Sequence, residues 1–143
     1  MIPLLPAEGG GRIVAISYSP SGRTGSWQPW CAMGVAKAAV DALSRYYAVA
    51  LAQPGVTVNV VSPGATEDSV LSRLPAEVFQ MIKDWHEGGW TPMRRMGTPA
   101  DMGNAVAMLC MEKADFITGQ TIHVDGGGSI MDPVFPLTIQ GIA

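Results

Sequence analysis

Residues 30–52 read WCAMGVAKAAVDALSRYYAVALA and decide the fold. This stretch is a long run of strong helix formers without proline, and Gly34 is its one weak position. At about 100° per residue, Trp30 and Met33 share one helix face with Lys37, the one charge in the first half of the stretch. Because most helical lysines only extend into solvent, a function for Lys37 depends on the segments around the helix.

Apolar segments flank this helix on both sides. GGGRIVAISYS, residues 9–19, precedes it, and GVTVNVVSPGA, residues 55–65, follows it. A strand, a long helix and a second strand are the order of a βαβ unit, in which the two strands run parallel. We therefore predict an α/β protein with strands over residues 12–17 and 56–61 and a helix that runs to about Ala52.

The second half of the chain predicts two more helices. A proline near the start and an apolar 3–4 spacing indicate a helix over residues 75–85. Thr98 is suited to cap a further helix, with Pro99 at its first position and an acid, Asp101, at its third. This helix is expected to continue to about Met111.

Polar loops follow the predicted strands. Residues 19–29 and 63–68 lie at the carboxyl ends of the first two strands, where open α/β sheets bind their ligands. A final short strand over residues 121–124 ends in Asp125 and three glycines. We expect the functional site at this edge of the sheet.

The composition bounds the class of protein. With 143 residues, 48% apolar and 15% charged, the chain can bury one domain's core at most. The net charge of −3 and the lack of a basic patch argue against a nucleic-acid partner. The sequence contains no run of about 18 apolar residues, so no membrane span is predicted. The first residues lack signal-peptide features, and we therefore expect a cytoplasmic protein. Cys31 and Cys110 fit no metal spacing and are expected to be buried thiols of a reducing cytosol.

Five separated segments carry a family resemblance. They are GRIVAIS, MGVAKAAVDALSRYYAVAL, VTVNVVSPGA, WTPMRRMGTPADMGNAVAMLC and ITGQTIHVDGG. In this order they resemble the C-terminal half of a short-chain dehydrogenase/reductase, most strongly over residues 9–131, and residues 132–143 form a C-terminal tail. The methionine-glycine pair three residues before Lys37 is similar to the enoyl-thioester reductase branch rather than to the ketone-reducing one. The resemblance implies the C-terminal half of a doubly wound, Rossmann-type parallel sheet.

The resemblance also implies that half of such a fold is missing from this sequence. In the family, residues like 1–11 join an earlier helix to the fifth strand of the sheet. No G-x-G-x-x-G phosphate loop occurs in the sequence. We therefore expect the first four strands and the N-terminal cofactor half to be absent. NADH or NADPH would belong to the intact protein, and the region that selects between them is not present.

The catalytic residues follow the family pattern only in part. The resemblance implies that Lys37 lowers the pKa of a tyrosine and holds the cofactor ribose, and it includes Ser17 among the cofactor contacts. The tyrosine does not map, because Met33 stands four residues before the lysine and Trp30 seven before. Three alternatives stay open: the Trp30 indole N–H polarises the substrate carbonyl, Tyr18 supplies the missing acid, or Trp30 packs an inactive cleft.

The SPGATEDS segment supplies further cofactor contacts by resemblance. Pro63 and Gly64 are expected to let the backbone approach the nicotinamide, with Ala65 and Thr66 as partners of its carboxamide. Where the family usually has a threonine two residues after Thr66, this chain has Asp68. Without the neighbouring motifs, an ordinary loop turn would be the preferred interpretation.

Four other charged or titratable residues are predicted to have structural or solvated positions and no catalytic role. Arg94 and Arg95 are expected to anchor the substrate loop to the core. His86 and His123 are lone histidines without a metal or triad partner at a recognisable spacing, and no metal site is predicted.

The function implied by the resemblance is the NAD(P)H-dependent reduction of a 2-enoyl thioester, carried by CoA or by acyl carrier protein. The alternatives are a 3-ketoacyl (carbonyl) reductase and a catalytically inactive fragment that keeps the family's oligomerisation surface. The resemblance further implies a homodimer or homotetramer, with contacts through the long helix, the last strand and the tail.

Overall fold

A computed structural model describes residues 10–18, 31–68, 70–131 and 141. Trp30, the whole of the first polar loop and nearly all of the predicted tail therefore lie outside the described residues. The described part contains three strands and three helices. They are β1 (Gly11–Ile16), α1 (Cys31–Ala50), β2 (Val56–Pro63), α2 (Ala76–Trp85), α3 (Pro99–Cys110) and β3 (Thr121–Val124).

The three strands form one parallel sheet in the order β1-β2-β3. Ile16 pairs with Val61 at the end of β1, and Val60 pairs with Thr121 at the start of β3. The central strand β2 is buried along its length except at its last residue. A strand buried on both faces is a near-continuous apolar run, which explains the VTVNVV sequence.

Helices cover both faces of the sheet. Val58 packs with Ala48 of α1, whereas Val61 packs with Leu109 of α3. Because side chains alternate along a strand, residues three apart point to opposite faces, so α1 and α3 lie on opposite sides. The predicted α/β class and its doubly wound, half-sheet architecture are therefore confirmed.

The helix α3 begins as its sequence predicts. Thr98 Oγ1 accepts a hydrogen bond from the Asp101 backbone N–H at 3.2 Å, and Asp101 Oδ2 accepts one from the Thr98 backbone N–H at 2.8 Å. Pro99 occupies the first helical position, where its missing N–H costs nothing. Arg95 binds both carboxylate oxygens of Asp101, at 2.7 and 3.0 Å, and so ties the segment before α3 to its first turn.

The segment between β2 and α3 forms an excursion that carries α2. This helix packs mainly on the short helical turns beside it, Leu71–Arg73 and His86–Trp90. The second turn was not predicted. It becomes possible because Gly89 adopts a φ of 104°, and it brings the Trp85 and Trp90 rings to 6.1 Å between centroids.

The prediction for the two cysteines was wrong. Cys31 and Cys110 are free and exposed, at the first residue of α1 and the last residue of α3. Each helix buries only one face, and neither cysteine lies on it. In α1 that buried face contains Gly34 and Ala48.

Within the described ranges, no helix has the length and apolar character needed to cross a bilayer. The same part of the chain holds no group of three or more histidine, cysteine or acidic side chains arranged to bind a metal ion.

Candidate functional site

The carboxyl ends of β1 and β2 lie side by side and continue to interact after β1 ends. The Ser17 backbone N–H donates to the Val61 carbonyl oxygen at 2.8 Å. The Ser62 hydroxyl donates to the Tyr18 carbonyl oxygen at 2.7 Å, and Ser62 is fully buried. These two bonds fix the backbone of Ser17 and Tyr18 at the edge where parallel sheets bind their ligands.

Lys37 reaches this edge from α1. Its Nζ donates a hydrogen bond of 2.8 Å to the carbonyl oxygen of Ile16, the last residue of β1. An ammonium group has three donors, so this bond leaves two N–H groups for a ligand. The side chain is half-buried and turned to the strand end instead of extending to solvent. The structure thus brings together Lys37, Ser17 and Tyr18 from the predicted set.

Trp30, the remaining predicted catalytic residue, lies outside the described residues. Met33, one turn before Lys37, is described and is 42% exposed. The position that holds an acid in the resembled family therefore carries a thioether in this helix, which cannot donate a proton.

Ser17 is a buried polar residue of the site. It is only 4% exposed, and its Oγ makes no hydrogen bond to the part of the chain that the structure describes. An unsatisfied buried hydroxyl costs about 1–3 kcal/mol. A ligand atom or a water that pairs with this oxygen would recover that cost.

Gly64 is required by its packing against another loop. A Cβ at this position would lie 2.8 Å from Asp125 Cβ and 2.9 Å from Asp125 Cα. The Gly64 backbone N–H also donates to the Val124 carbonyl oxygen at 3.0 Å. Gly64, which is expected to lie close to a cofactor, therefore also packs closely against Asp125. The spacing of residues in the sequence did not reveal this contact.

Ala65 and Thr66 are held by the chain that returns from the excursion. Thr66 forms an isolated parallel bridge with Gly97, whose N–H donates to the Ala65 carbonyl oxygen at 2.8 Å. The Thr66 hydroxyl donates to the Gly64 carbonyl oxygen at 3.0 Å. A hydroxyl oxygen that donates one bond can still accept others, so Thr66 Oγ1 suits an amide N–H donor.

The Asp68 side chain binds backbone N–H groups of the residues that follow it. Its Oδ1 accepts hydrogen bonds from the N–H groups of Val70 and Leu71, both at 2.9 Å, and so forms an Asx turn just before the helical turn Leu71–Arg73. An acid at this position, where the family usually has a threonine, is therefore used to begin the excursion. Asp side chains often bind the backbone N–H two residues on, and that preference is the signal that could have found this role.

Asp125 is a residue of the site edge that the sequence did not single out. Its Oδ1 accepts from the Gly127 N–H and its Oδ2 from the Ser129 N–H, each at 2.9 Å. Partial burial opposes ionisation, but the bonds from Ser129 and Gly127 outweigh it, so the pKa of Asp125 lies below its ordinary value. The Asp-Gly-Gly sequence after a strand is the turn signal that points to it.

Comparison with known families and proteins gives a consistent result. The family profile described as enoyl-(acyl carrier protein) reductase matches residues 1–129. A 1-cyclohexenylcarbonyl-CoA reductase from Streptomyces collinus is 36% identical over 137 residues, covering 90% of this chain and 45% of that protein. A 3-oxoacyl-[acyl-carrier-protein] reductase from Buchnera aphidicola is 43% identical over 91 residues, covering 64% of this chain and 35% of that protein.

Solved structures agree. An enoyl-(acyl carrier protein) reductase from Anaplasma phagocytophilum in complex with NAD superposes with a TM-score of 0.71 at 31% identity, covering 87% of this chain and 44% of that one. An angucycline C-6 ketoreductase with bound NADP gives a TM-score of 0.71 at 27% identity, covering 86% and 45%.

The chain spans between about a third and about a half of the length of the relatives it matches. Within that span it shows the parallel half-sheet, the helix that carries Lys37 and the loop after β2. The chain belongs to the short-chain dehydrogenase/reductase family, which it joins through the profile described as enoyl-(acyl carrier protein) reductase.

Proposed function

We propose that this chain is the C-terminal half of an NAD(P)H-dependent reductase that reduces the C2=C3 double bond of a 2-enoyl thioester. The observation that supports this most is the 2.8 Å bond from Lys37 Nζ to the Ile16 carbonyl oxygen. It brings a fixed positive charge to the strand end beside Tyr18. The carrier of the acyl group is CoA or acyl carrier protein, as the names of the two curated relatives suggest.

The residues present fit a nicotinamide cofactor. The two N–H groups of Lys37 that are not bonded to Ile16 would donate to the ribose hydroxyls, and Thr66 Oγ1 would accept from the carboxamide. Ser17 Oγ is the further polar group that gains a partner on binding. When bound, the reduced nicotinamide supplies a hydride. The two solved relatives bind NAD and NADP respectively, so we propose either nucleotide for this chain.

The chemistry of enoyl reduction suits the unusual residues at this site. Hydride addition at C3 of the thioester moves the double-bond electrons towards the carbonyl oxygen and leaves an enolate, which is then protonated at C2. The enolate oxygen needs hydrogen-bond donors more than an acid, and one such donor is worth roughly 3 kcal/mol. The Tyr18 hydroxyl and the Trp30 indole N–H are the proposed donors, so a missing tyrosine at positions 30 and 33 is tolerated.

Reduction of a 3-ketoacyl thioester is the second candidate function. One observation favours it and one opposes it. The 43% identity to a 3-oxoacyl reductase favours reduction of a 3-ketoacyl thioester. Ketone reduction, however, puts a proton on the carbonyl oxygen, and Met33 offers none, so Tyr18 would have to supply it. The same lack of an acid at positions 30 and 33 favours an inactive fragment that keeps only the oligomerisation surface, which is the third candidate.

We propose a homodimer or homotetramer formed partly through α1. Its outward face exposes Val35, Tyr46 and Val49 by 71–81% of their surfaces, more apolar area than a solvated helix needs. The free, exposed Cys31 and Cys110 fit a reducing compartment, so we propose the cytoplasm.

The test is a substrate panel on the protein that carries both halves of the fold, obtained by extending the reading frame upstream in genomic DNA. Oxidation of NADH and of NADPH is followed with crotonyl-CoA, 1-cyclohexenylcarbonyl-CoA and acetoacetyl-CoA. We expect turnover of at least one enoyl thioester and little of the ketoacyl one. Turnover of acetoacetyl-CoA alone would overturn the enoyl assignment, and a stop codon directly upstream would favour the inactive fragment.

A further inference from the structure

Three backbone segments meet around Asp125. Two of these segments are the beginning and the end of the excursion that carries α2. The excursion leaves the sheet through Gly64 at the end of β2 and returns through residues 91–93. Asp125 follows β3 directly and lies between these two segments. Its position therefore affects both ends of the excursion at once.

The first contact is with the outgoing segment. The atoms that a Cβ on Gly64 would meet belong to Asp125, at 2.8 and 2.9 Å. The Gly64 N–H bonds to Val124, so the backbones of the two loops touch without an intervening side chain. Any shift of the Asp125 backbone must therefore move Gly64 or open a gap, because packed interiors transmit such displacements.

The second contact is with the returning segment. Gly126 has a φ of 62°, and a Cβ there would lie 2.5 Å from Thr91 Cγ2. A Cβ on Gly127 would lie 3.1 Å from Pro92 Cγ. The Met93 N–H donates to the Gly126 carbonyl oxygen at 3.3 Å, and Thr91 is buried. The turn after Asp125 is thus pressed against the end of the excursion.

The Asp125 carboxylate sets the shape of this turn. Both of its oxygens are used, one by the Gly127 N–H and one by the Ser129 N–H. Two charge-assisted bonds to consecutive parts of a turn hold its backbone more firmly than neutral bonds do. Without them, the turn through Gly126 and Gly127 would lose its two hydrogen bonds to the Asp125 side chain.

We infer that Asp125 is a positioning residue for the loop of residues 64–66, acting through the turn that its carboxylate closes. The effect on catalysis rests on the proposed function, because residues 64–66 are the proposed cofactor contacts. The effect on the loop itself does not, since it follows from the contacts of Asp125 with Gly64, Gly126 and Gly127.

The direct test is amide hydrogen exchange on the full 143-residue chain. Asp125→Ala should raise the exchange rates of the Gly64 and Met93 amides by about tenfold or more, from loss of the charge-assisted bonds. The Val58 amide, which donates to Thr118 Oγ1 at 3.0 Å in the core strand, should keep its rate. Unchanged exchange at Gly64 and Met93, or an equal rise at Val58, would contradict the inference.

Two further variants make the comparison specific. Asp125→Asn keeps the size of the side chain and one accepting oxygen, so it should give the same pattern with a smaller rise. Asp68→Ala removes an acid that also accepts hydrogen bonds from two N–H groups of a turn, but the three atoms nearest to a Cβ on Gly64 belong to Asp125. It should raise exchange at Val70 and leave the Gly64 amide unchanged; a rise at Gly64 as large as that of Asp125→Ala counts against the inference.

A second measurement separates this inference from the proposed function. In the intact reductase, Asp125→Asn should raise the KM for the nicotinamide cofactor by about threefold to tenfold and change kcat less. If the intact protein shows no reductase activity, the proposed function fails, and the exchange rates still decide the role of Asp125. An active enzyme whose KM is unaffected by Asp125→Asn would contradict the positioning role.

Discussion

Lys37 Nζ lies 2.8 Å from the carbonyl oxygen of Ile16, so the helix that follows β1 is tied back to the end of β1. The bond crosses the connection between the two elements and holds the ammonium at the edge of the sheet. A ligand that binds a charge fixed in this way immobilises less of the protein, so binding loses less conformational entropy than at a freely rotating side chain.

The first prediction concerns that charge. In the intact reductase, Lys37→Ala should lower kcat/KM for the cofactor by about tenfold to a hundredfold, through a higher KM and a lower kcat together. Lys113→Ala is the matched control, because Lys113 is an exposed lysine away from the site. Equal kinetics for the two variants in steady-state assays would remove Lys37 from the mechanism.

The second prediction concerns the enolate donors. Tyr18→Phe and Trp30→Phe should each lower kcat on an enoyl thioester by about tenfold to a thousandfold if they bind the enolate oxygen. Trp30→Tyr should leave enoyl reduction intact or raise it, because a phenol also donates. Wild-type kcat in both phenylalanine variants would show that neither residue binds the oxygen.

The third prediction compares two glycines. Gly64→Ala should destabilise the chain by about 1–3 kcal/mol, because its Cβ would collide with Asp125 and overpacking costs about that much. Gly103→Ala should stabilise it by about 0.5–1 kcal/mol, since Gly103 lies inside α3 with nothing within 4 Å of its Cβ position. Urea denaturation measures both, and a neutral Gly64→Ala would contradict the close contact.

The fourth prediction concerns acid stability. The hydrogen bonds from Arg95 and Thr98 hold the pKa of Asp101 far below its ordinary value, and that of Asp125 is also lowered. Groups with a depressed folded-state pKa stabilise the fold above their unfolded value of about 3.9 and lose that contribution as the pH falls through the folded value.

The difference in Tm between the wild type and Asp101→Asn should therefore be largest above about pH 5 and should narrow towards pH 2. Asp84→Asn serves as the control, because Asp84 is an exposed acid on α2 that accepts a hydrogen bond from Gln80. Its Tm should follow the wild type throughout. If the difference in Tm between the wild type and Asp101→Asn does not change with pH, the ionised Asp101 carboxylate does not stabilise the fold.

Local patterns predicted most of the fold. The strand Thr121–Val124 and the Thr98 cap are found as the sequence indicates, and β2 extends two residues beyond the predicted range. These features depend on hydrophobic periodicity and on residues within one turn of each other. Each of these features can therefore be predicted from a single short segment of the sequence.

The candidate site was predictable only in part, because some of its contacts join residues that are far apart in the sequence. Lys37 was predicted from motif spacing and Tyr18 from its position after the first strand, and the structure brings Lys37 to the end of β1. The role of Asp125 depends on its contact with Gly64, which no local pattern encodes. The exposure of Cys31 depends likewise on where α1 meets the sheet.

The most direct test of the proposed chemistry is the fate of the transferred hydrogen. The intact protein is incubated with crotonyl-CoA and NADH or NADPH deuterated at the transferable position of C4, and the product is analysed by mass spectrometry and NMR. We expect butyryl-CoA with one deuterium at C3 and a solvent-derived proton at C2. Unreacted crotonyl-CoA under conditions in which acetoacetyl-CoA becomes deuterated 3-hydroxybutyryl-CoA would contradict it.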